Sequence, residues 1–297
     1  MSTRTKFDIS ALHFVILLWG ASGLVGDSIS LSSAGVVFYR SFFAMIAMVA
    51  YCFLWKKENL DIPIKEALAL TGSGLILGVH WWCFFQAINV STISIGLICL
   101  SATSFFLSIL EPLYTRQRMK KSEIIMGICC VLSLTMIYNF ELAYVLGILL
   151  GLGAAFSDSI YSIMTGQLVK SRSSSLITVF QMFGSCISAL ALGSFYEPVQ
   201  AMLAIPSGKD LLGLLFLGLV CSAFAMAIYI DCLKRLSTFT AVLSLNMEPV
   251  YGILLALLVR GETEYMSRGF YMGALVLIGC VSTDLFLKHG STKHLKA

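Results

Sequence analysis

Two acidic residues lie deep inside apolar stretches of the sequence. Asp158 stands near the middle of one stretch, beside Ser157 and Ser159, and Glu248 stands near the middle of another. A charge at the centre of a bilayer costs at least about 2.5–3.5 kcal/mol on insertion scales, so it usually faces protein or water. Either carboxylate could bind a substrate amine or carry a coupling proton. Alternatively, each could pair with a neighbouring helix and only fix the packing.

The sequence around Glu248 predicts a polar notch in its helix. Asn246 and Pro249 flank the glutamate, and a proline removes one backbone donor and frees the carbonyl group one turn earlier. We therefore include the amide of Asn246 among the candidate substrate ligands.

Aromatic and polar residues in other apolar stretches are further candidates for a binding pocket. His80 and Trp81 are adjacent in one stretch, and Trp19 and Ser22 lie one turn apart in another. Tyr229 lies in a third stretch. An aromatic face can hold an apolar or cationic group. The alternatives are a histidine satisfied by a neighbouring carbonyl and a tryptophan used for helix packing. The predicted substrate-binding residues are Glu248, Asp158, His80, Trp81, Trp19, Ser22, Asn246 and Tyr229.

Three polar residues near the ends of apolar stretches are predicted to act as gates or structural ion pairs. Arg40 can extend its long stem towards the membrane surface or brace a carboxylate. Glu111 lies close to Arg116 and Arg118, and Gln86 lies near the opposite membrane surface. For Arg40 and Glu111 the structural role is favoured.

These candidates are carried by ten apolar stretches of close to 20 residues, the length that crosses a bilayer core. Hydrophobic residues make up 58% of the 297 residues and charged residues 12%, against about a quarter charged in soluble domains. The sequence therefore predicts an all-α membrane protein with ten transmembrane helices and no nucleic-acid partner. The predicted spans 1 to 10 lie near 12–31, 34–54, 67–87, 92–114, 123–139, 144–166, 175–195, 211–231, 239–259 and 269–287.

The basic residues predict how the chain is oriented. Of the 20 Lys and Arg residues, 16 fall in the two termini and in the loops after spans 2, 4, 6 and 8. The positive-inside rule places these segments in the cytoplasm. We expect a multi-pass protein of the plasma membrane, in a bacterial inner membrane, with both termini cytoplasmic.

The two halves of the chain predict an internal repeat. Residues 1–139 and 140–297 would each carry five spans, and an odd number makes the second repeat enter the membrane from the opposite side. Inverted repeats are typical of secondary transporters, whose substrate sites lie near the membrane midplane between the repeats.

Five short motifs make the chain similar to a known family. They are residues 18–22 (Leu-Trp-Gly-Ala-Ser), 38–44 (Phe-Tyr-Arg-Ser-Phe-Phe-Ala), 86–91 (Gln-Ala-Ile-Asn-Val-Ser), 248–249 (Glu-Pro) and 261–262 (Gly-Glu). In order and spacing they resemble the EamA-like ten-helix members of the drug/metabolite transporter superfamily. The resemblance implies two five-helix repeats, transport of small organic metabolites, and a cavity lined by spans 1, 3, 4, 6, 8 and 9, with span 2 away from its centre. One departure is Ser104, which stands where the family often has a proline, so span 4 is expected to bend elsewhere.

The predicted function is secondary transport of small metabolites such as amino acids, with export favoured and proton coupling open. We predict neither an enzyme nor any cofactor or metal, because the chain has no phosphate-binding loop and no His-Glu-x-x-His motif. The partners expected are a small-molecule substrate and the lipid bilayer. The alternatives are an integral-membrane enzyme acting on lipids and a carrier of sugar phosphates or nucleotide sugars.

Overall fold

The computed structural model describes residues 3–116, 132–133, 142–169, 172–236, 238–276 and 278–279. The described residues form helices joined by short loops, with no strand among them. Seven of these helical segments are long and apolar enough to cross a membrane. They correspond to predicted spans 1 to 4 and 6 to 8. Most of span 5, Arg118 and nearly half of span 10 lie outside the described residues.

In the described part of the chain, five spans are continuous helices, and four of them begin and end within three residues of their predicted bounds, whereas span 1 begins nine residues before its predicted start. Span 1 is Thr3–Asp27, span 3 is Ile64–Asn89, span 6 is Val145–Leu168 and span 7 is Ser174–Gly193. Span 2 is Ser33–Tyr51, extended by the π-helical turn Cys52–Lys56. Short elements occur in the loops, namely the 3₁₀ turns Leu142–Tyr144 and Gly261–Glu264 and the helix Val199–Met202.

Three spans are interrupted along their length. Span 4 consists of Ile93–Leu100 and Thr103–Thr115, and span 9 consists of Thr238–Leu245 and Met247–Arg260. Span 8 consists of Gly208–Leu215 and Ala225–Leu233, joined by the π-helical segment Phe216–Phe224. Residues 268–276 form the start of the helix assigned to span 10.

The contacts between spans show that the two halves of the chain occupy equivalent positions in the bundle. Span 3 packs against spans 6 and 7, whereas span 8 packs against spans 1 and 2. Span 6 packs against the first part of span 4, and span 1 packs against the second part of span 9. Each contact is reproduced when five is added to or subtracted from the span numbers. The prediction of an all-α membrane protein built from two inverted repeats is confirmed, although the described residues do not cover all ten helices.

Glycines bring the backbones of spans 3 and 7 together. A Cβ atom on Gly74 would overlap the carbonyl group of Gln181, and one on Gly184 would overlap the carbonyl oxygen of Thr71. Small residues allow this approach in membranes, where van der Waals packing replaces the hydrophobic effect as the main attraction between helices. This interface joins the first repeat to the second.

The variant Gly74→Ala is expected to lower the midpoint of thermal unfolding in detergent, because spans 3 and 7 must separate to admit the methyl group. Gly72→Ala is the matched control, since a Cβ atom on Gly72 would meet no atom within 4 Å. Replacing glycine by alanine favours the helical conformation by about 1 kcal/mol in both variants. The two variants therefore differ only in whether the new methyl group meets span 7. Equal melting midpoints for the two variants would contradict the close packing.

Ion pairs join the helices at both ends of the bundle. At the end that carries the Lys- and Arg-rich loops, here named the basic end, Arg235 binds Asp8 at 2.8 Å and Asp231 at 3.2 Å. At the opposite end, Arg260 binds Asp27 and so joins the ends of spans 9 and 1.

Candidate functional site

A cavity with an empty volume of about 650 Å³ lies among the spans. Its walls are contributed by spans 1, 2, 3, 4, 6, 8 and 9. The lining combines an apolar surface with charged and polar groups. The lining residues are Trp19, Ser22, Arg40, Leu77, His80, Trp81, Phe84, Leu100, Thr103, Asp158, Tyr161, Met226, Tyr229, Val242, Leu245, Asn246 and Glu248.

The structure brings together at this cavity all eight residues predicted to bind substrate. Of the three gate or ion-pair candidates, Arg40 also lines the cavity, whereas Gln86 and Glu111 do not. The expectation that six spans form the lining is wrong on one point, because Arg40 brings span 2 into the wall. Its long side chain is 1% exposed, so it is directed inward rather than towards the membrane surface.

Two carboxylates face the cavity without strong partners. Among the described residues, no cation lies within 4 Å of Asp158 or Glu248, and the hydroxyl group of Thr103 is placed to donate to Asp158. Glu248 is close enough to Asp158 and Arg40 to interact electrostatically with both. Two carboxylates and one guanidinium group in one buried cavity form an incomplete charge arrangement, which a charged ligand or protons would complete.

His80 is held against the helix that carries Asp158. Its Nδ1 atom lies 3.0 Å from the carbonyl oxygen of Ala154, one turn before Asp158. This contact is the neighbouring-carbonyl arrangement considered for a histidine in a span. It fixes the ring while the other side of the imidazole remains at the cavity, where His80 interacts electrostatically with Asp158.

Three buried hydroxyl groups that make no hydrogen bond of good geometry lie near Asp158 or near Tyr229. Thr103 Oγ1, Ser162 Oγ and the Tyr229 hydroxyl have no partner of good geometry, although Thr103 lies beside Asp158. Thr103 and Tyr229 line the cavity. An unsatisfied buried polar group costs about 1–3 kcal/mol, so this corner is arranged for a ligand or water that the hydroxyl groups would bind.

Tyr229→Phe is expected to leave the melting midpoint of the empty protein unchanged or raised, because it removes an unsatisfied buried hydroxyl. The same change should weaken binding of a transported ligand by roughly three- to tenfold, the value of one hydrogen bond. The melting midpoint and the dissociation constant are measured on the same preparation. A lower midpoint with unchanged ligand affinity would show that the hydroxyl serves the fold instead.

The interruptions of spans 4 and 9 meet each other beside the cavity. Asn246 Nδ2, at the break in span 9, donates a 2.7 Å hydrogen bond to Ser104 Oγ, just after the break in span 4. Pro249 explains the break in span 9, because its ring excludes the carbonyl group of Leu245 four residues earlier. The break at residues 101–102 contains no proline, yet it lies just before Ser104, where a proline would also place it. The expectation that span 4 bends elsewhere is therefore wrong.

The π-helical segment of span 8 supports the opposite wall. A π-helical turn displaces backbone groups from the regular helix pattern, and here the carbonyl oxygen of Cys221 accepts a 2.8 Å hydrogen bond from Trp19 Nε1. The indole ring also packs edge-on against Tyr229 with centroids 5.2 Å apart. Trp19 therefore has both roles considered for it, since it is a cavity wall and is also fixed by packing.

Gln86 and Glu111 lie elsewhere in the bundle. Gln86 Oε1 accepts a 2.9 Å hydrogen bond from Ser33 and ties span 3 to span 2 near the opposite end. Glu111 lies in the helix Thr103–Thr115, one turn before Thr115, and is partly buried.

Sequence reasoning did not single out Thr103, Phe84 or Met226 as cavity residues. The signal for Thr103 was weak, because the Ser-Ala-Thr-Ser segment of span 4 contains no proline to mark a break. The apolar residues carry no signal that separates a cavity wall from a lipid-facing surface. Among the described residues, no group of three or more His, Cys, Asp or Glu side chains is placed to hold a metal ion.

Comparison with known proteins gives the family. The EamA-like transporter family matches the sequence twice, over residues 8–139 and over residues 145–283. The chain belongs to the EamA-like transporter family. Membership establishes a multi-pass membrane protein that transports small solutes, and it confirms the resemblance drawn from the sequence motifs.

Relatives of this family member agree with the assignment. An auxin-induced protein of Pinus taeda is 24% identical over 327 aligned positions, which cover 94% of this chain and 78% of the pine protein. A solved crystal structure superposes with a TM-score of 0.68 at 17% identity and covers 95% of this chain and 98% of the solved one. At that identity the structural similarity supports the fold alone.

Proposed function

We propose that this transporter moves small amphipathic metabolites such as amino acids by alternating access. The observation that carries the proposal is the cavity between inverted repeats, whose lining includes two carboxylates and the buried hydroxyl groups of Thr103 and Tyr229. Such groups bind a ligand amine, and the aromatic and aliphatic remainder of the wall accommodates an apolar side chain.

Proton coupling through Glu248 or Asp158 is part of the proposal. Both carboxylates face the cavity, so each can exchange a proton with water when one end opens. In this scheme the protein is an exporter of a bacterial inner membrane, with the basic end and both termini in the cytoplasm, as the positive-inside rule favours. The single arginine in the lining, together with two carboxylates, argues against substrates that carry several phosphate charges.

The proposal is tested by uptake of labelled amino acids into proteoliposomes. Saturable flux above that of protein-free liposomes is expected for at least one apolar amino acid. Ser22→Trp should fill the cavity and abolish the flux, whereas Arg172→Gln, which changes an exposed ion pair to Glu66, should retain it. If no standard amino acid moves faster than in protein-free liposomes, the proposal is rejected.

A further inference from the structure

Arg40 is the one basic side chain in the lining whose binding capacity is largely unused. It is 1% exposed, and its Nε atom donates a 3.0 Å hydrogen bond to Ser222 Oγ. The two Nη groups have no hydrogen-bond acceptor among the described residues, and no described carboxylate lies within 4 Å. A guanidinium group carries five N–H donors, so four of them remain available.

The surroundings of Arg40 fix the direction of its guanidinium group. Its Cζ atom lies 3.9 Å from the centroid of the Trp81 ring, which forms a cation–π contact. Ser222 in turn donates a 2.8 Å hydrogen bond to the Leu217 carbonyl oxygen five residues earlier, in the π-helical segment of span 8. The Nε side is therefore occupied by span 8 and one face by span 3, which leaves the Nη edge for the cavity.

An available guanidinium edge has a definite chemical preference. Two parallel N–H donors match the two oxygen atoms of a carboxylate. At the same cavity, Asp158 and the neighbouring hydroxyl groups of Thr103 and Tyr229 form a corner suited to an ammonium group. The wall thus presents complementary groups for both charges of a zwitterion.

We propose that the substrate is a zwitterion, an α-amino acid with an apolar side chain, whose carboxylate binds the Nη edge of Arg40 while its ammonium group binds at Asp158. This inference rests on the proposed function and adds the orientation of the substrate within the cavity. It also replaces the structural role favoured for Arg40 from sequence with a substrate-binding role.

The test compares three kinds of ligand on purified wild-type protein and variants. L-Leucine, L-methionine and L-phenylalanine are titrated beside their amine analogues, which lack the carboxylate, and their acid analogues, which lack the ammonium group. The wild-type protein should bind the amino acid tighter than the amine by on the order of tenfold to hundredfold, the range for hydrogen bonds to charged groups. Arg40→Gln should bind both with equal affinity, and Asp158→Asn should lose only the preference over the acid analogue. Arg172→Gln should behave as the wild type.

The outcomes separate this inference from the proposed function. If the wild-type protein binds none of the three amino acids, both are rejected. If it binds them and Arg40→Gln keeps the wild-type preference over the amine, only the inference is rejected. Should Arg40→Gln fail to fold, Arg40→Lys keeps the charge without the paired donors, and Ser222→Ala frees the Nε atom. Both should reduce the preference several-fold, and an undiminished preference in both would overturn the inference.

Discussion

Glu264→Ala is expected to lower the free energy of unfolding by about 2–4 kcal/mol, because it leaves the start of span 4 without its acceptor. Glu264 is 5% exposed and accepts hydrogen bonds from the backbone N–H groups of Ile93, at 3.1 Å, and Ser94, at 2.9 Å. The Ser94 hydroxyl donates a third bond of 2.7 Å. The first N–H groups of a helix have no partner within the helix, and a carboxylate also stabilises the positive end of the helix dipole.

The midpoint of thermal unfolding in detergent measures this effect. Glu262→Ala is the matched control, since Glu262 is exposed in the same 3₁₀ turn and its removal should change the midpoint little. Glu264→Gln keeps an acceptor oxygen without the charge and should lie between the two. If Glu264→Ala and Glu262→Ala had the same midpoint of thermal unfolding, the Glu264 carboxylate would not stabilise the contact between spans 9 and 4.

Glu248→Gln should reduce uptake driven by a pH gradient at least tenfold while it retains exchange of labelled for unlabelled substrate. The amide has nearly the same shape as the carboxylic acid but cannot carry a proton, so proton-driven net transport stops and substrate-for-substrate exchange continues. An effect of this kind corresponds to about 1.4 kcal/mol or more in the barrier. Flux is measured in proteoliposomes with and without the gradient.

Asp231→Asn is the control for this experiment. Asp231 is a helix-end carboxylate at the basic end, where it contacts Lys234 and Arg235, so its loss should leave the gradient dependence intact. Asp158→Asn tests the second candidate in the same assay. If both cavity variants keep the full response to the gradient, neither residue carries a coupling proton, and transport without proton coupling remains.

The membrane fold could be predicted because length and apolarity decide it. A helix that crosses hydrocarbon must satisfy its backbone internally and cover about 30 Å, so span 3, predicted near 67–87, is found as Ile64–Asn89. Interruptions were harder to predict. Pro249 marks one in sequence, but the break at residues 101–102 has no such mark and accompanies a side-chain contact from Asn246 in the other repeat.

The cavity could be predicted in part for the same reason. Charged residues in apolar stretches stand out against their neighbours, which is why Asp158 and Glu248 were found. The position of Arg40 was missed because it depends on Ser222, which is 182 residues away and sits in a π-helical segment that composition does not reveal. Hydroxyl groups such as that of Thr103 are common in spans, and only the geometry shows which ones line the cavity.

The contacts of the first three spans have a consequence for synthesis of the chain. Arg40 finds Ser222 only in span 8, His80 finds the Ala154 carbonyl in span 6, and Ser73 meets Gln181 in span 7. Because spans 6 to 8 are synthesised after spans 1 to 3, the early helices enter the membrane before the partners of these polar groups exist. A nascent chain stopped before span 6 therefore lacks the native partners of these three side chains, and the packing of the first half is completed only after spans 6 to 8 have been translated.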